Sequence, residues 1–128
     1  MIYIEGKKST GKLCYGLSLA EYRCKCNNKQ CRLTLVAPEL LEAYEKFRRK
    51  VDVKLTIVSG FRCTIKNFKN GVPKSKHCAG QAIDILLEQL KHFSKAEIRA
   101  MAKEAGFNYI KFYPTFIHCD VRMARPKP

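Results

Sequence analysis

Two short segments with alternating apolar residues, 82–87 (AIDILL) and 116–122 (FIHCDVR), constrain this chain more than any other feature. Because successive side chains of a strand lie on opposite faces, each segment has one wholly apolar face. The opposite face carries Asp84 in the first segment, and His118 and Asp120 in the second. The pattern predicts two strands that bury one face in a core and carry metal-competent side chains on the other.

The rest of the chain predicts a mixture of helices and strands. We expect a strand over 33–36, a helix with Pro38 in its first turn, and a half-buried strand over 51–59. Ser94 and Glu97 form a capping-box pattern, which predicts a helix that stops at Gly106. The buried stripe of the first helix is expected to be Leu40, Leu41, Tyr44 and Phe47. A turn-rich loop is expected over 67–76, and two short strands interrupted near Pro114 end the pattern, which is typical of an α+β domain.

Length and composition favour one folded domain with a strongly basic surface. The chain has 128 residues, of which 46% are hydrophobic, and no apolar run approaches the ~20 residues that span a membrane. The first residues lack the features of a secretory signal, so we expect synthesis in the cytoplasm. Lys and Arg number 25 against 11 acids, so the charge is 25 − 11 = +14. Such a chain is attracted to polyanions, but no nucleic-acid-binding motif is visible.

His77 lies in the loop just before the first of the two strands, where Gly80 permits a sharp turn. Together with Asp84 and His118 it would supply two imidazoles and one carboxylate, a ligand set suited to catalytic zinc with one position left for water. The alternative without a metal is a hydrogen-bonded histidine and an aspartate that caps a turn. Spacing alone does not decide between these two interpretations.

Three segments together resemble the D-Ala-D-Ala metallopeptidase family. SKHCAGQAID matches the pattern S-x-H-x-x-G-x-A-x-D, FIHCDVR matches the downstream H-x-D segment, and TIVSGFR at 56–62 resembles the strand and arginine that precede them. The family includes zinc carboxypeptidases and phage endolysins that cut peptidoglycan stem peptides, and the Hedgehog domain shares its fold. The resemblance implies a small antiparallel sheet with helices on one face, within one domain over 1–128: a cysteine-containing segment 1–32 and a catalytic core 33–123.

Carried over residue by residue, the resemblance makes His77, Asp84 and His118 the zinc ligands. It implies that Arg62 holds a substrate carbonyl or carboxylate, a role that suits a guanidinium group because it can donate two hydrogen bonds. It also implies that Ser75 either binds the substrate or holds the loop. A surface salt bridge is the alternative for Arg62.

The general base is where the sequence departs from the family. Several members have an acid three residues before the last zinc histidine, whereas this chain has Thr115. Asp120 is the nearest acid, and it could act on the water as a catalytic residue or orient a zinc ligand. Tyr109 and Tyr113 are candidates for electrophilic assistance, and Tyr113 for substrate binding, although strand tyrosines often serve packing.

The N-terminal cysteines form a second cluster in the sequence. Cys24, Cys26 and Cys31 lie close together, and Cys63 directly follows Arg62. Four thiolates could close a structural zinc site. A disulfide formed outside the cell and unpaired thiols are the alternatives.

The resemblance therefore implies a zinc-dependent peptidoglycan peptidase of phage or prophage origin, a DD-carboxypeptidase or an endopeptidase. We expect a monomer that acts on stem peptides at an anionic cell wall, after release from the cell or as part of a virion. A catalytically inactive zinc domain that binds a partner is the first alternative. A basic nucleic-acid-binding protein is the second.

Overall fold

The structure is a computed structural model that describes residues 1–5, 11–26, 31, 33–63 and 75–122. Most of the loop expected over 67–76 lies outside these residues. The strands are β1 (Ile2–Glu5), β2 (Lys12–Cys14), β3 (Leu17–Ser18), β4 (Leu33–Val36), β5 (Ile57–Ser59), β6 (Ala82–Leu86), β7 (Tyr109–Phe112) and β8 (Phe116–Asp120). The helices are α1 (Leu19–Tyr22), α2 (Pro38–Val51) and α3 (Lys95–Ala105), with a 3₁₀ turn at Glu88–Leu90. The expected α+β fold is confirmed.

The central feature is a four-stranded antiparallel sheet in the order β5-β6-β8-β7. Strand β6 pairs with β8 so that Asp84 is opposite His118 and Ala82 is opposite Asp120. Directly opposite residues share one face of an antiparallel pair and lie about 5 Å apart. The register therefore places the polar side chains of both strands side by side.

The other face of β6 and β8 is the core of the protein. Ile83, Ile85, Ile117 and Cys119 are fully buried, as the alternating pattern predicts. They pack in one cluster with apolar residues of α2 and α3, and each buried aliphatic side chain stabilises the fold by roughly 1.5–3 kcal/mol. The core on this face fixes the sheet, and it leaves the opposite face for chemistry.

Helix α2 is longer than the sequence suggests, and the strand predicted over 51–59 is wrong in its first six residues. Val51 is the last residue of α2, and Asp52 ends the helix in a left-handed conformation (φ 51°). Only Ile57–Ser59 forms a strand. The error has a simple cause: Val51 and Leu55 are both buried, but their spacing of four residues comes from a helix end and a turn rather than from a continuous strand.

The other predicted elements are confirmed. Helix α3 begins with the Ser94–Glu97 capping box and ends at Gly106, and the last two strands flank Pro114. In the predicted stripe of α2, Leu40, Tyr44 and Phe47 are buried, whereas Leu41 is only partly buried against the same core. Two small ribbons, β1–β4 and β2–β3, were not expected from the sequence.

Two glycines position the loop that precedes β6. Gly80 adopts φ +70°, and a Cβ there would lie 2.5 Å from the carbonyl oxygen of Leu35. A Cβ on Gly60 would lie 2.4 Å from the carbonyl oxygen of Tyr22. Side chains at either position would push these segments apart, so the glycines permit the close packing that brings the loop to the sheet.

Among the helices of the described residues, none has the length and apolar character needed to cross a membrane.

Candidate metal centre

His77, Asp84 and His118 meet on the polar face of the central sheet. Their ligand atoms all lie within 4.8 Å of one another. One oxygen of Asp84, Oδ1, lies 3.1 Å from Nε2 of His77 and 2.8 Å from Nδ1 of His118. Strand pairing brings Asp84 to His118, and the loop before β6 brings His77. The structure thus unites three side chains that are 41 residues apart at most (118 − 77).

The environment of His77 fits a metal ion. Its Nδ1 lies 2.7 Å from the carbonyl oxygen of Gly60, which can only accept a hydrogen bond, so Nδ1 carries the proton. Nε2 therefore directs a lone pair towards Asp84 Oδ1, which has only lone pairs of its own. Nε2 is buried and has no hydrogen-bond partner among the described residues. Two buried lone-pair atoms can face each other in this way only if a proton or a metal cation lies between them.

His118 is held between two carboxylates. Its Nδ1 is 2.8 Å from Asp84 Oδ1, and its Nε2 is 2.8 Å from Asp120 Oδ2. Burial alone would lower the pKa of His118, but the hydrogen bonds to Asp120 and Asp84 outweigh it and raise the pKa to about 9. Burial would likewise raise the pKa of Asp84, but the hydrogen bond from His118 and the electrostatic influence of the two histidines lower it. In the metal-free protein a proton on His118 thus neutralises the site, and a metal cation would displace that proton.

Asp120 contacts one ring nitrogen of His118, and Asp84 contacts the other. Asp120 is fully buried, and both of its oxygens have partners. Oδ2 accepts from His118 and Oδ1 accepts from the backbone N–H and the Nε of Arg122, at 3.2 Å and 3.0 Å. Burial would raise the pKa of Asp120, but the hydrogen bonds from His118 and Arg122 lower it. An ionised carboxylate in this position keeps the proton of His118 on Nε2 and leaves Nδ1 available to a metal.

Arg62 and Ser75 lie beside the His77 loop. Ser75 Oγ accepts hydrogen bonds from the backbone N–H of His77, at 3.2 Å, and from Nη2 of Arg62, at 3.3 Å. The backbone N–H of Arg62 donates to the carbonyl of His77 at 3.3 Å. Nε of Arg62 is buried and has no hydrogen-bond partner within the described part of the chain. The guanidinium is therefore tethered at one nitrogen and has unsatisfied donor capacity.

The two candidate tyrosines are in different settings. The ring of Tyr109 lies against His118, with 5.9 Å between ring centroids, and Cζ of Arg122 lies over the Tyr109 ring, 3.5 Å from its centroid. Tyr113 is in the turn between β7 and β8, where its ring stacks on Phe116 with centroids 4.5 Å apart. Thr115, in the same turn, is exposed. Of the two tyrosines, the structure brings Tyr109 next to the proposed metal ligands.

The partner of His77 was not among the residues predicted from the sequence. The carbonyl of Gly60 fixes the ring of His77, yet a backbone oxygen leaves no side-chain signature in a sequence. Gly60 does stand two residues before Arg62, in the segment TIVSGFR, and the absence of a side chain there is the available signal.

The four predicted cysteines also meet. The sulfur atoms of Cys24, Cys26, Cys31 and Cys63 lie within 4.8 Å of one another. None of the chain's cysteines, all of which are within the described residues, forms a disulfide.

Comparison with known proteins identifies the family. No curated protein matches the chain. A family model described as Peptidase M15 matches residues 16–120, a stretch that contains both side-chain clusters. This match covers most of the chain and agrees with the motifs around His77 and His118. The chain belongs to the peptidase M15 family, the D-Ala-D-Ala zinc peptidases.

Proposed function

We propose that the protein is a zinc-dependent peptidase that hydrolyses amide bonds of peptidoglycan stem peptides, as a DD-carboxypeptidase or an endopeptidase. The observation that carries the proposal is the meeting of two imidazoles at one carboxylate oxygen, with Nε2 of His77 buried and without a hydrogen-bond partner among the described residues. Membership of the peptidase M15 family supports the same chemistry.

Zinc would be held by Nε2 of His77, the carboxylate of Asp84 and Nδ1 of His118. When bound in such a site, zinc supplies a Lewis acid and an activated water for amide hydrolysis. The protein's own contribution is to aim the ligands. Gly60 fixes the ring of His77 and Asp120 fixes the ring of His118, each through the nitrogen that does not face the metal.

Asp120 is therefore proposed as a positioning residue. Its burial and its five hydrogen bonds leave it no free oxygen that faces the space between the ligands. As an anion it also stabilises positive charge on the His118 ring, which is the charge that metal binding or proton transfer produces there.

Arg62 is proposed to bind the substrate. A stem peptide offers a scissile carbonyl and, in a carboxypeptidase substrate, a terminal carboxylate. A guanidinium can donate to either group and can stabilise negative charge that develops on the carbonyl oxygen. Ser75 holds one nitrogen of Arg62, which limits the orientations of the guanidinium and aims its remaining donors.

The net charge of +14 is proposed to concentrate the protein at an anionic cell wall. Charge of this size raises the local concentration of an oppositely charged partner and makes binding sensitive to salt. We propose that the protein acts there after release from the cell or as part of a virion, and as a monomer.

Mass spectrometry of muropeptides tests the proposal and names the bond. Purified peptidoglycan is digested with the zinc-loaded protein and with the variants His77→Ala and His118→Ala. The third histidine of the chain, His92, is exposed in the turn before α3 and does not belong to the candidate cluster, so His92→Ala is the matched control. We expect new stem-peptide products with the wild type and the control, and none with either ligand variant. Products that persist after chelation, or with both ligand variants, would refute a metallopeptidase.

A second candidate is a zinc domain that binds a partner without hydrolysis. It is favoured by Thr115, where several relatives have an acid, and by the full engagement of Asp120. Stoichiometric zinc binding through His77 with no product from any muropeptide would select this candidate over the peptidase.

A further inference from the structure

We propose that Cys24, Cys26, Cys31 and Cys63 bind a second zinc ion, which is structural and joins the N-terminal segment to the segment that carries Arg62. The site is separate from the histidine centre and shares no residue with it. Its existence does not depend on the proposed peptidase activity.

The spacing of the sulfur atoms fits a tetrahedral tetrathiolate site. With zinc–sulfur bonds of about 2.3 Å, the sulfur atoms of a regular tetrahedron are roughly 3.8 Å apart. The four sulfurs all lie within 4.8 Å of one another, and Sγ of Cys26 is 3.5 Å from Sγ of Cys63. A disulfide requires about 2.05 Å, so the arrangement is far wider than a covalent pair. Four sulfurs that all lie this close to one another suit a single cation better than two disulfides.

The surroundings suit thiolates that share a cation. Cys24 and Cys31 are buried. The backbone N–H of Cys63 donates to Sγ of Cys24 at 3.4 Å, which is the kind of outer contact that orients a metal ligand and stabilises its negative charge. Four thiolates this close would repel one another strongly unless a cation lay between them. Tetrahedral sulfur coordination points to zinc.

The cysteine cluster lies next to a backbone contact between the same two segments. The backbone N–H of Phe61 donates to the carbonyl of Tyr22 at 2.7 Å, and Gly60 packs directly against the same carbonyl. The two segments thus run side by side just before Cys24 and Cys63. A metal held by both segments would tie together residues that are 37 positions apart, as for Cys26 and Cys63, and would constrain the unfolded chain as a cross-link does.

The proposed cysteine-bound zinc also has a consequence for the histidine centre. The segment from Gly60 to Cys63 supplies the carbonyl that holds His77 and the side chain of Arg62. Loss of the cysteine-bound zinc would free one side of this segment. The effect on Arg62 rests on the proposed function, whereas the metal site itself does not.

Zinc stoichiometry and X-ray absorption at the zinc edge test the site. The wild type is expected to hold two zinc ions per chain. The double variant His77→Ala/His118→Ala is expected to retain one, with four sulfur neighbours at about 2.3 Å. A single zinc in the wild type that is lost in this variant, a shell of nitrogen and oxygen neighbours in the variant, or intact masses lowered by disulfide formation would each overturn the proposal.

A second experiment uses the wild type and so does not depend on the folding of a variant. Titration with an organomercurial is expected to release one of the two zinc ions as four thiols react. Release that is complete before thiols react, or no thiol-dependent release, would contradict the site. Cys26→Ser is expected to lose one zinc and to melt at a lower temperature, whereas Cys14→Ser, which alters a cysteine outside the cluster, is expected to keep both ions. If activity fails while the sulfur-bound zinc persists, the proposed function falls and this inference stands.

Discussion

Replacement of Asp120 by Asn separates the two roles that an acid near His118 could have. Asn has nearly the same size as Asp, so the buried space stays filled. It lacks the negative charge, and its amide cannot accept from both His118 and Arg122 as the carboxylate does. Asp120→Asn therefore removes the charge that fixes the proton on Nε2 of His118, and it leaves the three proposed ligands in place.

The expected effect is on zinc affinity. Substitution of a residue that orients a metal ligand weakens metal binding by roughly 10- to 100-fold, which is about 1.4–2.7 kcal/mol. We expect the upper part of this range, because Asp120 is fully buried and its contact with His118 is a charge-assisted hydrogen bond of 2.8 Å. At saturating zinc, kcat is expected to fall less than tenfold, because the proposed ligands and Arg62 remain.

The assay combines zinc titration against a competing chelator with hydrolysis measured over a range of zinc concentrations. Arg122→Ala is the matched control, because it removes the other partner of Asp120. The side chain of Arg122 is 45% exposed, so its loss should change zinc affinity by less than about threefold. An unchanged zinc affinity in Asp120→Asn together with a loss of kcat of about 1000-fold would refute the positioning role and assign Asp120 as a general base.

Three further predictions follow from the same contacts. First, His118 has a pKa of about 9 in the metal-free protein, so zinc binding at pH 7.5 should release about one proton from it. The apparent zinc affinity should therefore rise roughly tenfold per pH unit until about pH 9. Calorimetry in buffers of different ionisation enthalpy measures the proton release, and a zinc affinity that is independent of pH would contradict the prediction. Second, Arg62→Lys should lower kcat/KM by about tenfold or more with zinc content unchanged, because an ammonium cannot donate two parallel hydrogen bonds; equal rates would remove Arg62 from substrate binding. Third, Gly60→Ala should destabilise the fold by about 1–3 kcal/mol, or roughly 4–12 °C in Tm, because the added Cβ would meet the carbonyl of Tyr22. In the control Gly11→Ala the added Cβ meets nothing within 4 Å, so Tm should be unchanged. Equal melting temperatures of the two variants would show that the contact at Gly60 is absent.

The strands that carry the candidate site could be predicted because their patterns are local. In each of β6 and β8 every second residue is an apolar core residue, and burial of Ile83 and Ile117 then forces Asp84 and His118 onto the opposite face. A slip of one residue would bury the polar face in the core, so the hydrophobic pattern alone fixes the face. The pairing of Asp84 with His118 is a register between distant segments, and only the family motifs pointed to it.

Other features were beyond reach because they depend on contacts between distant backbone segments. The end of α2 at Val51 is set by the left-handed Asp52, whereas alternation in VDVKL also matched a strand. The carbonyl of Gly60 holds His77, and a backbone group of this kind cannot be recognised from the residue type. The role of Asp120 was open because spacing gives its distance from His118 along the strand but not the edge of the ring that it contacts.

The arrangement divides the work between the two faces of one small sheet. The core face fixes the positions of the strands, and the opposite face brings together candidate metal ligands from both strands and the preceding loop. Each histidine is held by a partner on its far nitrogen, a carbonyl for His77 and a carboxylate for His118. Such support from outside the ligand set is what gives a metal site its affinity and geometry.

Anomalous diffraction at the zinc edge from crystals of the zinc-loaded protein would locate the ion that the two histidines and Asp84 are proposed to hold. We expect a peak at about 2.0–2.2 Å from Nε2 of His77, an oxygen of Asp84 and Nδ1 of His118. A map with no zinc peak among these three side chains, or with zinc bound to His118 through Nε2, would contradict it.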